Sequence, residues 1–117
     1  MKILIIDDEP LVRRSLSRAF QSKGYEIHEA SDGNQGLKSW EEIKPDLVFV
    51  DVLMPGLKGP EVIEKSASFN KAKIVLMTAY AGEEIQPEQK ALVSLFLKKP
   101  FENIFDIVKQ AEGLFNK

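Results

Sequence analysis

A doubly wound α/β fold, five parallel strands in the order 2-1-3-4-5 with helices on both faces, is what the sequence predicts. Three observations carry it. Short apolar runs alternate with longer stretches of helical spacing along the whole chain. Four of the five runs end on Asp7, Asp51, Thr78 and the Lys98-Lys99 pair, so polar chemistry gathers at one end of the strands. Right-handed crossovers limit the strand orders, and this order leaves a switch point between strands 1 and 3, where ligands bind beyond the carboxyl ends.

The elements follow in order. Ile3-Leu4-Ile5-Ile6 reads as a strand buried on both faces, ending at Asp7-Asp8. Asp8 is expected to cap the next helix, with Pro10 in its first turn and an apolar stripe of Leu11, Val12, Leu16, Ala19 and Phe20 before Gly24 stops it. Tyr25 to Glu29 is the second strand, Asp32-Gly33 a turn, and the helix behind it runs through Leu37, Trp40 and Ile43 to Pro45. Leu47-Val48-Phe49-Val50 is the third strand, ending on Asp51. Pro55, Gly56 and Gly59 mark a loop, and Pro60-Glu61 open a helix carrying Val62, Ile63 and Ala67. Ile74-Val75-Leu76-Met77 is the fourth strand and ends at Thr78. Between Gly82 and Leu92 a short or irregular element is expected, because Pro87 lacks the donor that a helix interior requires. Leu95-Phe96-Leu97 is the last strand, and Ile104, Ile107, Val108, Ala111 and Leu114 form the apolar stripe of a closing helix.

With 117 residues, 44% hydrophobic and 29% charged, the chain is expected to form one domain over residues 1–117, with no room for an attached output module. The absence of cysteine excludes a disulfide framework, a thiolate zinc site and a cysteine nucleophile. Sixteen basic against eighteen acidic residues leave a net charge of -2, which favours neither nucleic acid nor an anionic membrane. The run Ile3 to Ile6 is too short for a signal-peptide core or a membrane span, so a cytoplasmic location is expected.

In the proposed order, strands 1, 3, 4 and 5 are neighbours, which brings Asp7, Asp8, Asp51, Thr78 and Lys99 to one rim. Three carboxylates in a partly apolar crevice raise one another's pKa unless a cation sits between them. Hard oxygen donors without histidine or cysteine select Mg2+, with Mn2+ also suited, over zinc. His28, in the second strand, lies away from this rim and reads as structural or solvent-facing.

Four segments carry a family likeness at these spacings: Ile5-Ile6-Asp7-Asp8-Glu9-Pro10, Val50-Asp51-Val52-Leu53-Met54-Pro55-Gly56, Met77-Thr78-Ala79-Tyr80 and Lys98-Lys99-Pro100-Phe101. Together they resemble the receiver domain of bacterial two-component response regulators, a flavodoxin-like fold, over nearly the whole chain. The resemblance implies that Asp51 accepts a phosphoryl group from a histidine kinase or a histidine phosphotransfer protein, changing contacts with a downstream protein target. It implies that Asp7, Asp8, Asp51 and the backbone carbonyl of Leu53 bind Mg2+. It further implies that Thr78 and Lys99 contact the phosphoryl oxygens, and that Phe96 on strand 5 is drawn inward when Thr78 moves. Leu53 and Tyr80 match positions that flank the phosphoryl group in receivers. An apolar Leu53 cannot orient a water, so a long-lived phospho-aspartate is expected. Arg13, Arg14 and Arg18 on the first helix are a kinase-docking surface by the same likeness.

Two other readings compete. A Mg2+-dependent phosphohydrolase with Asp7 as nucleophile, similar to haloacid-dehalogenase-like enzymes, wants an aspartate where this chain has Glu9. A receiver-shaped interaction module that takes no phosphate fits poorly with the intact set Asp7, Asp8, Asp51, Thr78 and Lys99.

Overall fold

The computed structural model describes residues 1–79 and 85–115. Its strands are β1 (Lys2–Ile6), β2 (Glu26–Ala30), β3 (Leu47–Asp51), β4 (Lys73–Thr78) and β5 (Leu95–Lys98). The helices are α1 (Pro10–Gln21), α2 (Gly33–Ile43), α3 (Gly59–Ser66), α4 (Pro87–Lys90) and α5 (Ile104–Gly113). The strands form one parallel sheet in the order β2-β1-β3-β4-β5, as the alternation of runs predicts.

Side chains alternate across a strand, so each β-run feeds two cores. Ile3, Ile5, Phe49, Val75, Met77 and Leu97 pack against Leu16 and Phe20 of α1 and Ile107, Val108 and Ala111 of α5. Leu4, Ile6, Val48, Val50, Ile74 and Leu76 pack against Trp40 of α2 and Val62 and Ile63 of α3. With both faces covered, β1 and β3 need continuous apolar runs, and Ile3 to Ile6 and Leu47 to Val50 are all fully buried. Trp40 docks α2 on the sheet, and its indole Nε1 donates to Asn70 Oδ1 at 3.0 Å. Among the described residues no helix is long and apolar enough to cross a membrane.

Several local expectations are corrected. Leu11 is 72% exposed rather than part of the α1 stripe, because at five residues before Leu16 and nine before Phe20 it falls on the far side of the helix from them, whereas Val12 in the same turn packs on the core. The residue capping α1 is Glu9, and Asp8 does not fill that role; Asp7 Oδ1 instead accepts from the Glu9 backbone N–H at 2.9 Å. Asp32 is the N-cap of α2 rather than half of a free turn, accepting from Gln35 N at 2.8 Å. Strand β2 starts at Glu26, after Tyr25, and Ala67 is the C-cap of α3. Pro87 does not interrupt a helix but opens one, since its missing N–H falls where no intrahelical acceptor exists. Helix α4 is nevertheless one turn long, matching the expected short element; positions 80–84, including Gly82, lie outside the described residues.

The edge strand beside α4 carries one partly exposed aromatic. The register pairs Leu76 with Phe96, which places Phe96 on the α2–α3 side of the edge strand. Leu76 is fully buried there, whereas Phe96 is 48% exposed.

Candidate functional site

The site is built at the carboxyl ends of β1, β3 and β4 and the exit of β5. Asp7 extends β1 by one residue, its N–H donating to Ala30 O at 3.1 Å, and its side chain is fully buried. Asp51 closes β3 and is 5% exposed. The following Val52 N–H donates to Met77 O at 2.9 Å, which holds the start of the loop against β4. Thr78, half-buried, is one residue past the Met77 that pairs with Asp51. Lys99 leaves β5 with its N–H on Thr78 O at 2.7 Å, and its side chain runs inward, 6% exposed. Gly59 lets α3 close on the site, because a Cβ there would lie 2.3 Å from Asp51 O.

One ammonium organises these groups. Lys99 Nζ lies 2.8 Å from Glu9 Oε1, 2.9 Å from Asp7 Oδ2 and 3.5 Å from Asp51 Oδ1. Asp7, Asp8, Glu9 and Asp51 each offer a carboxylate oxygen, all within 4.8 Å of one another. Four carboxylates therefore face one cation, with Asp8 and Glu9 open to solvent and Asp7 and Asp51 buried.

The charge excess appears in the titration of the buried pair. Burial, followed by the charge of Asp7, pushes the Asp51 carboxyl up to about 7 against the partial relief from Lys99. Burial also raises Asp7, opposed by the Glu9 N–H and Lys99. For Lys99, burial disfavours the ammonium, but its bonds to Glu9 and Asp7 outweigh this and hold its pKa above the ordinary lysine value. Oxygen-only donors around a residual negative charge fit a hard divalent cation and offer nothing to a soft metal.

The structure thus brings together Asp7, Asp8, Asp51 and Lys99, with Thr78 on the adjoining strand end. Leu53, two residues past Asp51, is 44% exposed in the β3–α3 loop. Phe96 faces outward on β5, and Tyr80 lies outside the described residues. His28 is remote on β2, its Nε2 2.6 Å from Glu26 Oε2. Sequence reasoning missed Glu9 as part of the cluster. Its signal was the unbroken acidic run Asp7-Asp8-Glu9 just ahead of Pro10, where the first helical turn folds the third carboxylate back over the rim. Beside Glu9 and Lys99 an open, mainly apolar groove of about 390 Å³ runs between α1 and the β5–α5 connection, lined by Leu11, Val12, Phe101 and Ile104.

Residues 3–111 match the response regulator receiver domain. The chain is 34% identical over 113 residues to sporulation initiation phosphotransferase F of Bacillus subtilis, covering 93% of this chain and 91% of that protein. It is 38% identical over 103 residues to the regulatory protein AtoC of Escherichia coli, covering 86% of this chain but only 22% of that longer protein. A solved structure of the response regulator TrrA from Thermotoga maritima, in complex with Mg2+-BeF, superposes with a TM-score of 0.84 at 34% identity, covering 97% of each chain. With its sheet order, its acidic rim and these likenesses in agreement, the chain belongs to the response regulator receiver domain family of two-component signalling.

Proposed function

We propose that the chain, as a receiver domain over residues 1–117, is a phospho-acceptor switch in which Asp51 takes a phosphoryl group from a histidine kinase or a histidine phosphotransfer protein. The observation that carries this is the convergence of Lys99 Nζ and two buried carboxylates, Asp7 and Asp51, from three separate strand ends. Asp7, Asp8, the Asp51 side chain and the Leu53 carbonyl would hold Mg2+. That ion would neutralise charge on the carboxylates and on the transferred oxygens. Asp51 supplies the oxygen that forms the new O–P bond as the P–N bond to the donor histidine breaks and the imidazole leaves with the electron pair. Lys99 balances charge on the phosphoryl oxygens, and the Thr78 hydroxyl follows them after transfer.

Of the two aspartates that compete for the role of acceptor, Asp7 is the poorer nucleophile. Its Oδ1 is occupied by the Glu9 N–H and its Oδ2 by Lys99. Asp51 is held less tightly, with Lys99 at 3.5 Å. This favours the switch over the Asp7-centred phosphohydrolase. The apolar groove beside Lys99 suits a helix of the donor protein, which would deliver its histidine to the rim.

Phe96 would turn inward as Thr78 moves, altering the surface offered to a downstream protein target. Leu53 and Tyr80 would limit access of water to the phosphoryl group. The protein acts in the cytoplasm, without contacting nucleic acid or a membrane directly. Incubation with Mg2+ and acetyl phosphate tests the reading: the wild type should gain one phosphoryl group and Asp51→Asn should gain none, whereas equal labelling of both would overturn it.

A further inference from the structure

We infer that Arg13 and Glu29 form a brace that positions the Asp7–Asp8 loop for its metal, a role outside the acidic rim itself; the inference rests on the Mg2+ site proposed above. The Asp7 N–H continues the sheet, but its carbonyl points past the last strand pairing and takes its donor from elsewhere: Arg13 Nη1, at 2.6 Å. The same guanidinium places Nε 3.3 Å from Glu29 Oε1 on β2. The other Glu29 oxygen accepts from Ser17 Oγ at 2.9 Å, one turn further along α1. One directed donor and one ion pair of the same guanidinium thus tie the end of β1 to β2, and a buried serine fixes the anchor. The Arg13 side chain is only 18% exposed, so this geometry is set by packing as well as by charge. Asp7 and Asp8 differ from Asp51 in sitting where β1 has just ended, so the position of their carboxylates depends on what holds the loop backbone. A metal ligand held through its outer contacts loses affinity when those contacts go.

Charge and position predict opposite signs, which makes the inference testable. Removing a cation beside an acidic site tightens Mg2+ binding if Arg13 acts only through its field. Loss of a brace weakens it. Mg2+ binding to the full chain, measured by isothermal titration calorimetry without a phosphodonor, should weaken about tenfold in Arg13→Gln. Arg13→Lys, which keeps the charge but not the guanidinium, should also weaken, and serves if Arg13→Gln does not fold. Glu29→Gln should weaken binding, and adding it to Arg13→Gln should cost nothing further, since one brace is broken only once. Binding in Arg13→Gln or Arg13→Lys as tight as in the wild type, or a return of the double variant to wild-type affinity, would overturn the brace. A wild-type protein that binds no Mg2+ would instead overturn the metal site on which the inference rests, and the brace with it.

Discussion

Lys99 sits closer to Glu9 than to Asp51: its Nζ is 2.8 Å from Glu9 Oε1 and 3.5 Å from Asp51 Oδ1. The lysine that would meet the phosphoryl group is therefore bonded, in this state, to a carboxylate at the solvent edge of the site. Glu9 competes for it.

Glu9→Gln should release Lys99 toward Asp51. At saturating Mg2+ the variant should bind beryllofluoride more tightly. The effect should be modest, about two- to fivefold, because the Glu9 side chain is more than half exposed and its pairing is screened by water. Fluoride NMR or calorimetric titration of both proteins reads the difference, and unchanged or weaker binding would show that Glu9 does not restrain Lys99.

The raised Asp51 carboxyl makes metal-free stability depend on pH. Between an ordinary carboxyl pKa near 4 and the folded value of about 7, the folded chain keeps a proton that the unfolded chain has lost, so stability falls as pH rises through that window. Asp51→Asn removes this loss. Urea unfolding in EDTA should find the variant more stable than wild type by about 1–2 kcal/mol at pH 8, less than the full shift would convert to, with the gap closing toward pH 4. A variant no more stable than wild type at pH 8 contradicts the assignment.

Leu53 lies exposed two residues past Asp51, the proposed acceptor, and its side chain offers no group to align a water. Leu53→Asn should shorten the half-life of the phosphorylated protein about tenfold, measured by loss of label after removal of the donor. An equal or longer half-life would remove Leu53 from the control of hydrolysis.

Gly59 carries both fold and site, since a Cβ there would meet the Asp51 carbonyl and the Val52 backbone. Gly59→Ala should destabilise by about 1–3 kcal/mol through overpacking and should slow phosphorylation by shifting Asp51. A variant with wild-type unfolding and wild-type labelling would show that α3 can move away freely.

The strand order and the placing of Asp7, Asp8, Asp51, Thr78 and Lys99 at one rim were legible, though Glu9 was not, because each is a consequence of short-range pattern. A buried parallel strand must read as an apolar run, and its carboxyl end is marked by the first polar residue, as Ile6-Asp7 and Val50-Asp51 show. What the sequence concealed is set by contacts between elements. Pro87 reads alike as a breaker or a first helical residue until the start of α4 is known. Phe96 alternates like any core residue and pairs with buried Leu76, yet it is exposed on the edge strand. Arg13 looks like surface charge, and only the approach of β2 gives it Glu29.

Chemical mapping of the acceptor tests the central claim most directly. After incubation with Mg2+ and acetyl phosphate, borohydride reduction converts a phospho-aspartate to homoserine, and peptide mass spectrometry locates it. Homoserine at position 51, dependent on Mg2+, is the result expected of a phospho-acceptor switch. Homoserine at Asp7, or at no aspartate in a protein that remains folded, would contradict it.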